Sequence, residues 1–275
     1  MKQSIDYGEI LFIGKCNCNC YYCLSNEMHK LKQNALKHSS SHFLDWKNFY
    51  TFLDKLKSNN VKKIYLSSTI TDPLLYSYID ELIEFLHLNG FTVGIRTNGY
   101  MAIDKMNTVL KLDDEISFSI NSLSTDINYN ICNVKNIPDW DTIFSLFSKY
   151  NKKCRVSIVV NHFNYKEVNS ILKKLSQYDA IDYIQLRKIY KYNDCNINID
   201  DENAFKCTKQ YILNVGKYIG NFYESKIFKI YNKKVSLWED VFQKESVKTY
   251  NYFTDGVLSD DNLLIRIYEE NNNIE

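Results

Sequence analysis

The chain has 275 residues, of which 45% are hydrophobic, 15% aromatic and 24% charged. That supplies a sizeable core and excludes intrinsic disorder, collagen-like repeats and a highly charged tail protein. Lys and Arg number 34 against 33 for Asp and Glu, a formal net charge of +1, so no global basic field points to nucleic acid.

In chain order, Ile10-Leu11-Phe12-Ile13 is a short apolar run that reads as a strand, and Phe43 to Leu56 carries apolar residues at helical spacing. Val61 to Leu66 predicts a strand. Leu74 to Leu88 predicts an amphipathic helix stopped by Asn89-Gly90. Phe91 to Ile95 predicts a strand closing at Thr97-Asn98-Gly99, followed by a helix from Ala102 to Leu112. Glu115 to Ile120, Arg155 to Val160 and Tyr183 to Leu186 read as strands, with helices at Trp140 to Tyr150 and Val168 to Leu175 between them. Such alternation predicts a parallel sheet with right-handed crossovers. Six strands fall short of the eight of a closed barrel. The expected fold is α/β, a (β/α)6 partial TIM-like barrel with chemistry at the carboxyl ends of its strands.

The pattern changes from Asp200 onward. Asn203 to Ile219 predicts a helix, Lys226 to Tyr231 and Val235 to Trp238 a hairpin, and Asp255-Gly256 a turn. Residues 1–190 are therefore expected to form the barrel core and residues 191–275 a short C-terminal α+β cap over its mouth. No run of about 18 apolar residues marks a membrane span. Met1 to Lys15 has no signal-peptide apolar segment, so a cytoplasmic location with reduced thiols is expected.

Four of the 8 cysteines, Cys16, Cys18, Cys20 and Cys23, sit in one short run. Clustered cysteines in a reducing compartment read as metal ligands or catalytic thiols before disulfides. Cys16, Cys20 and Cys23 have C-x3-C-x2-C spacing directly after the first predicted strand, and Tyr22 precedes the last of them. Three thiolates can hold three irons of a cubane and leave the fourth open to a small molecule. A structural zinc site is the competing reading. Zinc sites usually draw two ligand pairs from separated turns, however, and four ligands so close together crowd a tetrahedron. Cys18 reads as a bystander thiol.

Cys16, Cys20, Tyr22 and Cys23 together resemble the radical S-adenosylmethionine enzymes, whose signature is C-x3-C-x-aromatic-C in the loop after the first strand. The likeness covers residues 9 to 190. It implies a [4Fe–4S] cluster on Cys16, Cys20 and Cys23, with S-adenosyl-L-methionine chelated to the open iron. It also implies an external one-electron reductant of the flavodoxin or ferredoxin kind, and a 5′-deoxyadenosyl radical that takes hydrogen from a substrate. The Gly-Gly-Glu motif that often follows the family's second strand is replaced here by Ser67-Ser68-Thr69-Ile70-Thr71-Asp72-Pro73. By the same likeness, Ser68, Thr69 and Thr71, with Asp72, stand in for the cofactor's amino-group contacts. Tyr22, Thr97 and Asn98 fall at the same site, and Ser119 and Asn121, in phase with Ser117, fall where ribose hydroxyls are held. Arg187 falls where a guanidinium fork would pair with the methionine carboxylate.

Each of these positions has a plainer reading. Thr97-Asn98-Gly99 is an ordinary strand-to-turn signal, Ser119 and Asn121 a polar strand end, and Arg187 a structural ion-pair partner. Cys132, Cys154, Cys195 and Cys207 lack the spacing of a second cluster and read as buried small residues. Cys195 and Cys207, near the expected mouth, are the candidate thiol hydrogen donors. His29, His38 and His42 lie in or beside the polar segment Glu27 to Ser41 and read as solvated. The expected substrate is a ribosomally made peptide, with a small metabolite, nucleoside or sugar as the alternative. A non-enzymatic iron–sulfur or zinc binding module is the reading from a different class. The near-neutral charge argues against tRNA or another nucleic acid partner.

Overall fold

Period-two alternation gives each strand an apolar face and a polar one, and the architecture follows from where each face goes. The computed structural model describes residues 5–24, 41–68, 70–190, 198–222, 224–239 and 248–260. The first six strands are β1 (Tyr7–Phe12), β2 (Lys63–Ser68), β3 (Thr92–Thr97), β4 (Ile116–Ser119), β5 (Cys154–Val159) and β6 (Ile181–Arg187). They lie side by side in chain order and all pair in parallel. Helices α1 (Phe49–Ser58), α2 (Ile79–Leu88), α3 (Met106–Lys111), α4 (Thr125–Cys132), α5 (Trp140–Lys149) and α6 (Val168–Leu175) come between them.

The outward face of the sheet carries Ile10, Ile64, Leu66, Val93, Ile95, Phe118, Val156, Ile158 and Ile184, all fully buried. Phe49, Phe52, Leu56, Leu82, Leu86, Phe144, Phe147 and Ile171 pack there from the helices, in one continuous core. Burying each such side chain stabilises by about 1.5–3 kcal/mol. The inward face is polar, which leaves the barrel interior to charged and hydroxylated side chains. Gly94 is required on that face, because a Cβ there would meet the Tyr65 ring at 2.4 Å and the Glu115 carbonyl at 2.7 Å.

Three expected helices are shorter than their apolar pattern; the one expected from Ala102 begins only at Met106. Phe43–Asp45 is a separate 3-10 turn, and Asn48, in the left-handed conformation (φ 61°), precedes α1. Pro73–Leu75 is likewise a 3-10 turn, and extended Tyr76 breaks it from α2. Gly90 takes φ 82° and ends α2 where expected.

After β6 the chain forms α7 (Ile199–Val215), β7 (Lys217–Phe222), β8 (Ser225–Ile230), β9 (Lys233–Trp238), β10 (Thr249–Phe253) and β11 (Leu258–Ser259). The expected hairpin is β8–β9. The helix expected to run to Ile219 stops at Val215, and Lys217 begins a strand. Parallel β9 extends the sheet beyond β6 and parallel β10 extends it beyond β1. Antiparallel β7 and β8 cap one end, and β11 caps the other. Open strand edges explain this placement, since unpaired backbone groups on β1 and β6 are satisfied by added strands. No helix among the described residues is long and apolar enough to cross a membrane.

Candidate functional site

The loop Gly14 to Cys23 leaves β1 and lies across the carboxyl ends of the strands, above a cavity of about 660 Å³. Its backbone is fastened to the end of α4: Asn19 N–H donates to the Cys132 carbonyl at 2.9 Å and Tyr21 N–H to that of Ile131 at 3.0 Å. The Tyr22 hydroxyl donates to Asn121 Oδ1. Asn98 Nδ2 donates to Asn17 Oδ1 at 2.7 Å and approaches Cys18 Sγ at 3.6 Å. The Thr71 hydroxyl donates to the Lys15 carbonyl at 3.0 Å.

Cys16, Cys18, Cys20 and Cys23 are all half-buried and all line the cavity. So do Tyr22, Ser68, Thr71, Thr97, Asn98, Ser119, Asn121 and Arg187. Residues far apart in the chain are thus gathered at one place. Thr69, Cys195, His29 and His38 lie outside the described residues. Cys207 is exposed on α7 and does not line the cavity. His42 is tied to the surface by Glu81 at 3.2 Å, away from the site. Among the described residues, none after Arg187 lines the cavity, because the C-terminal strands pair at the sheet ends instead of folding over the mouth.

Two of the gathered residues are occupied by one another. Asp72, 3% exposed, accepts from the Thr97 hydroxyl at 2.9 Å, from Asn98 N–H at 2.7 Å and from Leu74 N–H at 3.0 Å. Burial pushes its carboxyl pKa up, against the pull of those donors. Asp72 therefore organises the β3 exit, and the Thr97 hydroxyl is committed to it. Ser119, by contrast, is exposed to the cavity.

The floor of the cavity holds three arginines on the inward faces of β3, β5 and β6. Arg96 pairs with Glu9 and donates to the Tyr7 hydroxyl at 3.2 Å. Arg155 pairs with Glu115 at 3.2 Å and donates to Ser117 at 3.0 Å. Among the described residues Arg187 has no ion-pair partner. Burial pushes its pKa down to about 10, with Arg155 and Arg96 adding to the effect. The floor thus carries three cations against two pairing carboxylates, and suits an anionic ligand group.

Sequence reasoning missed Arg96 and Arg155, and it read Cys132 as a buried small residue, which it is, without placing it beside the cysteine loop. The arginines were findable: they stand in phase with the inward residues of neighbouring strands, as the register Arg96–Ser117–Arg155 shows. The placement of Cys132 was not, since α4 carries too weak an apolar pattern to be read. Its thiol is buried and lies 3.6 Å from the Tyr100 hydroxyl and 3.2 Å from the Asn128 carbonyl, on the helix end to which the loop is fastened. The neighbouring Cys18 and Cys20 thiols lower the Cys132 pKa, and Cys132 raises theirs.

Residues 10–175 match the model of the Radical SAM superfamily. The chain belongs to that superfamily. A putative glycyl-radical enzyme activating enzyme of Methanocaldococcus jannaschii is 26% identical over 226 residues, 79% of this chain and 80% of the relative. The tRNA 4-demethylwyosine synthase of the same organism is 28% identical over 123 residues, 42% of this chain and 36% of the synthase. Among solved structures, Streptococcus suis SuiB bound to S-adenosylmethionine superimposes with a TM-score of 0.63 at 14% identity, over 94% of this chain and 58% of SuiB. The chain thus spans about a third of the tRNA synthase and under two thirds of SuiB.

Radical SAM proteins bind a [4Fe–4S] cluster and S-adenosylmethionine. The donor set fits that group by its chemistry: thiols on one loop, facing one cavity, with no competing acid or imidazole among them. No three donors among the described residues converge on a point that a single ion would occupy. A cubane asks for something else, one thiolate per iron, spread around a larger body.

Proposed function

We propose that the chain is a radical SAM enzyme that abstracts a hydrogen atom from a polypeptide substrate. Cys16, Cys20 and Cys23 would ligate the cluster and leave Cys18 outside the ligand set. When bound, the reduced cluster supplies the electron that splits S-adenosylmethionine into methionine and a 5′-deoxyadenosyl radical. The chain's own residues bind and orient. Arg187 takes the cofactor's carboxylate, and Ser68 and Thr71 face its amino end. Ser119 and Asn121 face its ribose, and Tyr22 holds Asn121 in place.

The observation that carries this reading is the meeting of the thiol loop and an uncompensated arginine across one cavity. Support for a polypeptide comes from the relative matched over most of its length, which is named as a putative activator of another enzyme. A small metabolite, nucleoside or sugar is the competing substrate class.

Deuterium transfer separates the two. The reconstituted, reduced protein is incubated with S-adenosylmethionine and with extract of its source organism grown in heavy water, split into macromolecular and small-molecule fractions. Deuterium in 5′-deoxyadenosine from the macromolecular fraction after nuclease treatment supports the polypeptide. Label from the small-molecule fraction alone refutes it.

A further inference from the structure

Asp201 lies on the first turn of α7, beyond residue 175 where the superfamily match ends. An acidic residue there ordinarily serves the helix itself, by offsetting unpaired N–H groups. Here that work falls to Asn198, whose side chain accepts from Asp200 N–H at 2.9 Å. The Asp201 carboxylate is turned away from its helix and is 4% exposed. Its Oδ1 accepts from the Tyr21 hydroxyl at 2.8 Å, from His162 N–H at 2.9 Å and from His162 Nδ1 at 2.7 Å. One buried oxygen therefore joins three segments: the cysteine loop, the exit of β5 and the C-terminal helix.

Tyr21 sits between Cys20 and Cys23. Its ring packs edge-on against Phe163 and His162, each with centroids 5.7 Å away, which fixes the direction of its hydroxyl. The loop's other fastenings described above reach Thr71, Asn98, Asn121 and the end of α4. All of those partners lie inside the matched region; Asp201 does not.

We propose that Asp201 is a positioning residue for the cluster: through Tyr21 it holds the stretch between Cys20 and Cys23 at the geometry iron needs. The inference rests on the reading that this loop carries a cluster. It makes the C-terminal helix part of the metal site, although no residue of that helix lines the cavity. A buried acceptor with three donors is stiff, because moving any one partner leaves the carboxylate short of a bond.

The test uses the 275-residue chain reconstituted without oxygen, as wild type, Tyr21→Phe, Asp201→Ala, Asp201→Asn and the Tyr21→Phe/Asp201→Ala double variant. Iron loss to a ferrous chelator is followed at the cluster's visible absorption band, and the reduced cluster is recorded by electron paramagnetic resonance. Losing one hydrogen bond to a buried carboxylate predicts roughly tenfold faster iron loss in Tyr21→Phe. Asp201→Ala should show at least as much, and the double variant no more than Asp201→Ala. Asp201→Asn, whose amide oxygen still accepts, should fall between wild type and Asp201→Ala. The resonance line shape should change alike in Tyr21→Phe and Asp201→Ala.

Tyr21→Phe keeps every contact of α7 with His162, so it reports on the loop even if Asp201→Ala folds poorly. Wild-type iron loss and an unchanged resonance in Tyr21→Phe would overturn the positioning role and leave the proposed function standing. So would rate effects that simply multiply in the double variant. A wild-type protein that takes up no iron would overturn the proposed function and this inference together.

Discussion

Replacing Arg187 by Gln should have two effects of opposite sign. In the protein without cofactor, the guanidinium sits beside Arg155 and Arg96, and burial and those charges lower its pKa from 12.5 to about 10. At 1.36 kcal/mol per pH unit this is roughly 3 kcal/mol against the charged form, reduced to about 1–2 kcal/mol because cavity water reaches the half-buried side chain. Removing the charge should therefore raise the melting temperature by a few degrees. With cofactor, the same charge pairs with a carboxylate, and truncating one partner of a buried, hydrogen-bonded pair costs about 2–5 kcal/mol. Affinity for S-adenosylmethionine should then fall at least about thirtyfold. Calorimetric titration of the reconstituted protein measures the second effect, and thermal melting without ligand the first. Arg187→Lys, which keeps the charge and loses the fork, should fall between. Unchanged affinity in Arg187→Gln, or a lowered melting temperature with wild-type binding, would refute the assignment of this arginine to the cofactor.

Cys16→Ala, Cys20→Ala and Cys23→Ala should each abolish the brown chromophore after reconstitution, whereas Cys18→Ala should keep it; visible absorption and iron analysis decide. Gly94→Ala drives a Cβ into Tyr65 and the Glu115 carbonyl, and should cost about 1–3 kcal/mol in denaturant melts. Asp114 is pushed up by burial, but Glu115 N–H, Lys63 and Tyr65 outweigh this and hold its pKa below 3.8. A depressed folded pKa gives stability that is present above the unfolded value and lost as pH falls through the folded one. Acid titration of Asp114→Asn should therefore show a flatter loss of stability below about pH 4 than the wild type, with little difference in slope above it.

Much of the barrel was legible because β2 to β6 alternate so regularly. Their outward Ile, Val and Phe residues name the core, and the gaps between them name the cavity. The same period that singled out Ser117, Ser119 and Asn121 also places Arg96, Arg155 and Arg187 inside. Local spacing could not reveal pairing. β10 follows no crossover pattern, and its place beside β1 depends on an open edge at the far end of the sheet. Asp72 read as a possible cofactor contact from its position alone. Only the fold shows its carboxylate spent on Thr97, Asn98 and Leu74. Asp201 was hidden for the same reason, since its partners Tyr21 and His162 are distant in the chain.

The central claim is that the cysteine loop and the cavity beneath it form a radical-generating centre. It is tested most directly by incubating the reconstituted, dithionite-reduced protein with S-adenosylmethionine in the absence of oxygen. Such a centre yields 5′-deoxyadenosine and methionine in equal amounts, with neither formed by Cys20→Ala. Purified protein that carries zinc in place of iron and leaves S-adenosylmethionine intact would contradict it.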